Sequence, residues 1–328
     1  MKLADAFSKI ITPDRRVSFR AYDGSSVGPQ DNDVILEIRS PRAVQFLAGA
    51  PSQLGLARAY VSGDLEIIGD AYTALSRLYP LDTSHLSWRD KLDLAKAFGP
   101  QAVKRPTPPP QERRLRGRRH SKGRDAEAIH HHYDVSNRFY RWVLGPSMAY
   151  TCAVFPDADA SLEVAQEEKF DLVCRKLGLR PGMRLLDVGC GWGGMAFEIA
   201  KQKGCEVTGI SLSKNQINYC KKKAKELNLD NQVSFELADY REVEGEYDRI
   251  YSVGMFEHVG KKFYNVFFKS INKLLKNDGL FLLHTIGVVD KPTPPNKFIN
   301  KYIFPGGVCP SLSQIVKPIE KTGLIVAD

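Results

Sequence analysis

From residue 126 onward, short apolar runs alternate with stretches of helical period. The apolar runs are MRLLDV (183–188), CEVTGI (205–210), QVSFELA (232–238), DRIYSVG (248–254) and GLFLLHTIG (279–287). Between them, KNQINYCKKKAKELNL (214–229) and KFYNVFFKSINKLL (262–275) space their apolar residues as helices do. Strands that are apolar throughout and separated by helices predict a parallel sheet covered on both faces. Ligands of such sheets bind at the carboxyl ends of the strands, where the strand order reverses. Residues 1–100 follow a different rhythm. VILEIRSPRAVQFLAG (34–49) predicts a strand, a turn and a helix. LGLARAYVSGDLEIIG (54–69) predicts a helix stopped near Gly63, then a short strand. This is the pattern of a small α+β domain, and it carries no motif of its own.

Between these regions, residues 101–125 read as a linker. Pro106 and the run Pro108-Pro109-Pro110 cannot continue a helix and favour extended backbone. Charge then changes the picture. The chain of 328 residues has a net charge of +9. Nearly all of that surplus lies where Lys104, Arg105, Arg113, Arg114, Arg116, Arg118, Arg119, Lys122 and Arg124 meet only Glu112. Such a cluster is either a solvated linker or a contact for anionic lipid head groups, each basic residue near such a surface contributing about 1 kcal/mol. No aromatic residues interleave with it, which argues against a base-stacking nucleic-acid platform. The six cysteines are widely spaced, with no CxxC pair, so neither a zinc site nor a disulfide framework is signalled. No run reaches the roughly 18 apolar residues that span a bilayer. The N-terminal MKLADAFSKIITPDRRV is no secretory signal. A reducing cytoplasm is the expected location, with any membrane contact made from the surface.

The chemistry is concentrated in LLDVGCGWGG. Asp187 ends the first strand, and Gly189, Cys190, Gly191, Gly193 and Gly194 follow. Glycines after a first strand let the chain turn tightly and let a ligand approach the backbone. A lone GxGxxG-like string is shared by several nucleotide folds. The GCGWGG spacing with the acid before it resembles the first motif of class I methyltransferases, which implies S-adenosylmethionine as cofactor. Asp187 is then placed to orient water or the amino acid end of that cofactor. No acid ends the second strand; Ser211, with Gln216 from the next helix, is expected to serve the ribose. Asp239 and Tyr240, after the third strand, are expected at the adenine. Each is equally a turn or cap residue, and Ser213 is a natural cap for the helix starting near Lys214.

HHYDVSNRFY (131–140), MAYTCAVF (148–155) and SVGMFEHVG (252–260) resemble the cyclopropane-fatty-acyl-phospholipid synthase family. That family includes the mycolic acid cyclopropane synthases and related fatty acid methyltransferases. ISLSKNQ, ADYRE, LLHTIG and KYIFPGG continue the match in order over roughly residues 126–328. The N-terminal region is similar to the lipid-associated leader domain of the phospholipid-acting members. The resemblance implies a Rossmann-like class I methyltransferase domain at 126–328, a leader domain at 1–100 and the linker at 101–125. It implies methyl transfer from S-adenosylmethionine to a cis double bond of a phospholipid acyl chain, with a bound bicarbonate as base. The bicarbonate group maps to Cys152, Glu257, His284 and the Ile286 backbone. Cofactor contacts map to Tyr150, Thr151, Ser211, Gln216, Asp239, Tyr240 and the glycine turn. His131, His132, Tyr133 and Asp134 form a signature before the site. Phe139, Trp142, Phe256, Phe263, Tyr264 and Phe304 are candidates for an acyl tunnel. Outside the resemblance, Cys152 reads as a small apolar residue, His284 as a satisfied histidine and Glu257 as a cap or ion-pair partner. Adjacent histidines His130 to His132 point in different directions on a helix, so no metal is expected.

The chain stops at GLIVAD (323–328), before the last strands and an active-site tyrosine of the family pattern. Three other outcomes stand beside cyclopropanation. One is a methyl-branched or methylene product, another a small-molecule or sterol methyltransferase, and the third a non-catalytic lipid-binding homologue. The chain's end bears on the third alone, while the leader domain and the Cys152–Glu257–His284 set argue against the second. A nucleic-acid methyltransferase fits the charge but not the motifs. Expected partners are unsaturated, anionic phospholipids at the inner face of the cell membrane, with a homodimer suggested by the resemblance.

Overall fold

The structure is a computed structural model that describes residues 2–10, 16–29, 31–50, 53–78, 87–99, 106–112, 117, 120–133, 136–292 and 295–328. The chain divides into two units, Met1–Arg113 and Arg114–Asp328. Unit one runs α1 (Leu3–Ile10), β1 (Ser18–Ala21), β2 (Ser26–Val27), β3 (Val34–Ile38), α2 (Pro41–Gly49), α3 (Gln53–Val61), β4 (Leu65–Gly69), α4 (Ala71–Leu78) and α5 (Trp88–Phe98). Its mixed sheet has the order β2-β1-β3-β4. Phe19, Leu36, Ile38, Val44, Phe46 and Leu65 form its core. The strand–turn–helix expected at 34–49 is β3 and α2, with Ser40 capping the Arg42 N–H and Pro41 in the first turn. Glu112, expected in the linker, is buried in this unit and takes a two-pronged bond from Arg58 on α3, at 2.7 and 2.8 Å. Lys104, Arg105, Arg113, Arg114, Arg116, Arg118 and Arg119 lie outside the described residues.

Unit two runs α6 (Lys122–Tyr133), α7 (Asn137–Leu144), α8 (Leu162–Leu177), β5 (Arg184–Val188), α9 (Gly194–Lys203), β6 (Glu206–Ser211), α10 (Lys214–Glu226), β7 (Val233–Leu237), β8 (Tyr247–Val253), α11 (Tyr264–Leu274), β9 (Leu275–His284) and α12 (Leu312–Glu320). The sheet is wholly parallel, in the order β7-β6-β5-β8-β9. Helices cover both faces, as the alternation predicts, in the Rossmann-like class I methyltransferase architecture that the resemblance implies. The last strand starts earlier than the apolar run suggests, because Leu275 already pairs with Tyr247 before an irregularity in the register. Central strands are buried on both faces: Leu185, Leu186 and Ile250 have no exposed surface. Each such side chain contributes about 1.5–3 kcal/mol. One face packs on α8 and α9 through Phe170, Leu177 and Ile199. The other packs on α11 through Phe267, Phe268 and Ile271. Residues 324–328 form no strand. Among the described residues, no helix is long and apolar enough to cross a membrane.

The order of the strands fixes where a ligand belongs. From β5 the chain winds outward to β7, then returns to β8 on the other side. The crevice between the carboxyl ends of β5 and β8 is therefore the switch point.

Candidate active site

A cavity opens at that switch point. Its wall includes Asp187, Gly189, Cys190 and Gly191 after β5, Ser211 and Gln216 after β6, Asp239 and Tyr240 after β7, and Tyr150 and Thr151 from the loop before α8. Every cofactor residue expected from the sequence lies on this wall except Gly193, whose neighbours Trp192 and Gly194 do. Gly193 instead caps α9 and is hemmed in by Phe197, Phe235 and Cys220.

The turn after β5 is built from left-handed backbone, with φ of 94° at Gly189 and 55° at Gly191. A Cβ on Gly189 would sit 2.7 Å from the Met255 side chain on the β8 loop. Glycine is thus required by both conformation and space. The N–H groups of Gly189 and Cys190 both donate to the Ile210 carbonyl, at 3.0 and 2.9 Å, tying the turn to β6. Asp187 is buried, and burial lifts its carboxyl to about 7. Cys190 is buried against Cys220, and that contact together with burial drives its thiol well up.

After β6 the Ser211 hydroxyl donates to Gln216 Oε1 at 2.8 Å. Ser213 is the cap foreseen for α10, accepting from the Gln216 N–H at 3.1 Å. Asp239 is drawn into a turn of its own: Arg241 donates from its backbone and its guanidinium to the Asp239 carboxylate. That holds the carboxyl below its ordinary value against the opposing effect of burial. Burial pushes the Tyr240 phenol up to about 12.

Aromatic rings crowd the cavity. Tyr150 stacks on His132 with ring centres 5.6 Å apart. Tyr133, Tyr140, Trp192 and Phe304 complete the group. Of the signature before the site, Asp134 and the His131 side chain lie outside the described residues. The tunnel candidates divide. Phe304 joins the aromatic group. Phe256 and Tyr264 stack on each other in the core, with 0% and 1% exposure. Phe263 packs against that same core. Phe139 and Trp142 point outward, because α7 buries Tyr140 and Leu144 instead.

The second group of candidates sits beside this cavity, at the ends of β8 and β9. Glu257 lies in a 3-10 turn, Phe256–His258, directly after β8. Its Oε1 accepts from the Ile286 N–H at 2.6 Å. Its Oε2 is buried with no hydrogen-bond partner. His284 is the last residue of β9, and its Nδ1 is likewise buried and unpartnered. Burial holds the His284 imidazole below its ordinary value, with Glu257 pulling the other way. The Glu257 carboxylate also raises the Tyr264 phenol and the Cys309 thiol, in each case after burial. Cys152 is exposed, on the loop that follows Thr151.

Two residues here lie outside every motif in the sequence. Gln166 and Lys169 lie one turn apart on α8, within a charged string that reads as a solvated face, yet they are 2% and 4% exposed. Gln166 donates to the Thr151 carbonyl at 3.0 Å. Lys169 donates to the Thr151 hydroxyl. Burial pushes the Lys169 ammonium down to about 8. Together they pin the loop that carries Tyr150, Thr151 and Cys152. Their cue was spacing alone: both share the helix face of Ala165, Phe170 and Val173, which is buried.

The family model for mycolic acid cyclopropane synthetase matches residues 120–328. The chain belongs to that family. A probable fatty acid methyltransferase of Mycobacterium tuberculosis is 45% identical over 324 residues, covering 94% of this chain and 76% of that one. The cyclopropane-fatty-acyl-phospholipid synthase of Escherichia coli is 44% identical over 189 residues, covering 58% of this chain and 48% of that one. Among solved structures, the M. tuberculosis cyclopropane synthase MmaA2 superimposes with a TM-score of 0.59 at 38% identity, covering 62% of this chain and 76% of that one. The mycolic acid cyclopropane synthase CmaA1 complexed with SAH and CTAB gives a TM-score of 0.58 at 36% identity, covering 62% and 76%. Membership gives the chain S-adenosylmethionine-dependent methyltransferase activity, within a family whose named members work on fatty acyl lipids.

Proposed function

We propose that this enzyme transfers the methyl group of S-adenosylmethionine to the cis double bond of an unsaturated acyl chain in a membrane phospholipid, leaving a cyclopropane ring and S-adenosylhomocysteine. The S–CH3 bond breaks as the methyl carbon bonds to one alkene carbon. The other alkene carbon becomes cationic. Loss of one proton from the added methyl closes the ring. When bound, S-adenosylmethionine supplies the electrophilic methyl, and bicarbonate supplies the base.

The observation that carries this reading is the pair of buried, unpartnered atoms, Glu257 Oε2 and His284 Nδ1, at the ends of β8 and β9. A buried carboxylate oxygen without a partner costs stability, and a small proton-bearing anion would satisfy it. His284, held neutral by burial, offers its ring to the same guest. Cys152 completes the proposed set; the Ile286 N–H, expected from the sequence to meet the anion itself, is instead spent on Glu257 Oε1 and so serves by holding that carboxylate in place. On the cofactor side, the left-handed turn at Gly189 and the open space at Gly191 fit close approach of an amino acid end, with Asp187 to orient it. Ser211 and Gln216 fit ribose hydroxyls, and Asp239 with Tyr240 fits the base. The aromatic group around Tyr150 surrounds the site mainly with ring surface, which suits an apolar chain and a developing cation. Residues 1–100 are proposed as a lipid-associated leader domain, 101–125 as a linker that meets anionic head groups, and 126–328 as the methyltransferase domain.

The test is direct. The 328-residue chain is incubated with methyl-labelled S-adenosylmethionine, bicarbonate and vesicles of unsaturated phosphatidylglycerol. A gain of one CH2 unit with loss of the double bond is the expected result. The same gain with the alkene kept gives the methylene or branched product instead. Cofactor binding without label in lipid rejects the reading for this chain.

A further inference from the structure

Helix α7 has two faces that differ sharply. Inward, Tyr140 and Leu144 pack with Met148 and Trp192, and the Tyr140 and Trp192 ring centres are 4.4 Å apart. Met148 and Trp192 are themselves part of the cavity wall. Outward, Arg138, Phe139, Arg141, Trp142 and Val143 are all exposed. Trp142 is 71% exposed, Val143 52% and Phe139 45%. A large aromatic and a tryptophan side by side on a two-turn helix have an unfavourable contact with water. The Arg138 guanidinium lies 4.8 Å from the Trp142 ring centre. Among the described residues, no ion pair engages Arg138 or Arg141. The helix carries no acid. Glu163 of α8 lies against Gly145, just past the C-terminal end of α7.

From these observations we infer that the outer face of α7 is the surface by which the enzyme seats itself on an anionic bilayer, with Trp142 and Phe139 entering the head-group region and Arg138 and Arg141 meeting lipid phosphates. This rests on the lipid-substrate reading above and adds the docking element to it. The chemistry matches an interfacial helix: a tryptophan and apolar neighbours at head-group depth, flanked by cations that find phosphate there. A second copy of the chain fits less well. Across a twofold axis this face would set its two arginines against their own images, in a molecule whose net charge is already +9. The position also serves the chemistry, because Met148 and Trp192, on which α7 packs, line the cavity.

The test uses the full chain and sedimentation with vesicles of dioleoyl phosphatidylglycerol or dioleoyl phosphatidylcholine. Wild type is expected to bind the anionic vesicles preferentially. The double variant F139S/W142S is expected to lose about tenfold or more in vesicle affinity. The double variant R138Q/R141Q is expected to lose most of the preference for phosphatidylglycerol. Cofactor affinity, measured by calorimetry, stays at the wild-type value in both, which also shows that they fold. Vesicle binding by F139S/W142S equal to wild type overturns the proposal. So does a lipid-free wild-type dimer that the same variant converts to a monomer, because the face is then occupied by a second copy. Methyl transfer into the same vesicles is read separately. Binding that depends on α7 without any methylated lipid leaves the docking surface standing and rejects the activity. Methylation that is indifferent to both variants does the reverse.

Discussion

Glu257 and His284, at the ends of β8 and β9, are each only partly buried, yet each keeps a buried polar atom open. The carboxylate already accepts the Ile286 N–H on one oxygen, so its orientation is fixed before any guest arrives. Glu257→Gln keeps that acceptor but removes the charge. Methyl transfer is expected to fall by about 100-fold or more with cofactor affinity unchanged, read as labelled methyl in lipid against calorimetric binding. Asp187 makes a different trade. Its folded pKa, about 7, is above its ordinary value of 3.8. Its contribution to stability is therefore full below the unfolded value and is lost as pH rises from about 4 through 7. Asp187→Asn removes that loss. Thermal melts of the cofactor-free chain should show the variant gaining more over wild type at pH 8 than at pH 5. Cofactor affinity should move the opposite way and weaken. A variant whose relative stability does not change with pH would contradict the burial of that charge.

At the scale of elements, the site is a meeting of loops held by rigid neighbours. The β5 turn is tied to β6 through Ile210 and pressed against the β8 loop at Met255. Gly189→Ala puts a Cβ into that contact at positive φ. Its expected effect is loss of cofactor affinity together with a lowered melting temperature, because the turn must shift to admit the methyl. The loop bearing Tyr150 to Cys152 is held by α8. Lys169 is cationic below about 8 and donates a charge-assisted bond to Thr151. As pH rises through about 8 the ammonium is lost and the bond weakens. Wild-type KM for the cofactor is expected to rise across that range, whereas Lys169→Met starts high and stays flat. A merely structural lysine would lower stability without changing the shape of that pH profile.

For the whole molecule, charge sets the terms of any membrane contact. The chain has a net charge of +9, and no described helix is long and apolar enough to cross a bilayer. Attraction between cations and anionic head groups is screened over about 8 Å at physiological salt and over about 3 Å at 1 M. Binding to phosphatidylglycerol vesicles is expected to weaken steeply as salt rises from 0.05 M toward 1 M, leaving the smaller apolar part contributed by Trp142 and Phe139. Sedimentation across a salt series measures it. Salt-independent binding would mean that the basic residues do not take part.

Much of this was written locally. The alternation of strands and helices, the glycine turn and the Ser213 cap depend on near neighbours in sequence, and periodicity and turn chemistry report near neighbours faithfully. The family is legible for the same reason, since its strings are short and contiguous. What tertiary structure alone decided is which side of an element meets what. The string around Lys169 is charged and reads as a solvated face; only the packing of α8 on the sheet turns Gln166 and Lys169 inward. Phe256 and Phe139 are equally apolar as letters, but one fills the core beneath α11 and the other stands in solvent on α7. The open atoms of Glu257 and His284 could not be read at all, because an unmet hydrogen bond is a property of everything that surrounds the group and not of the residue that bears it.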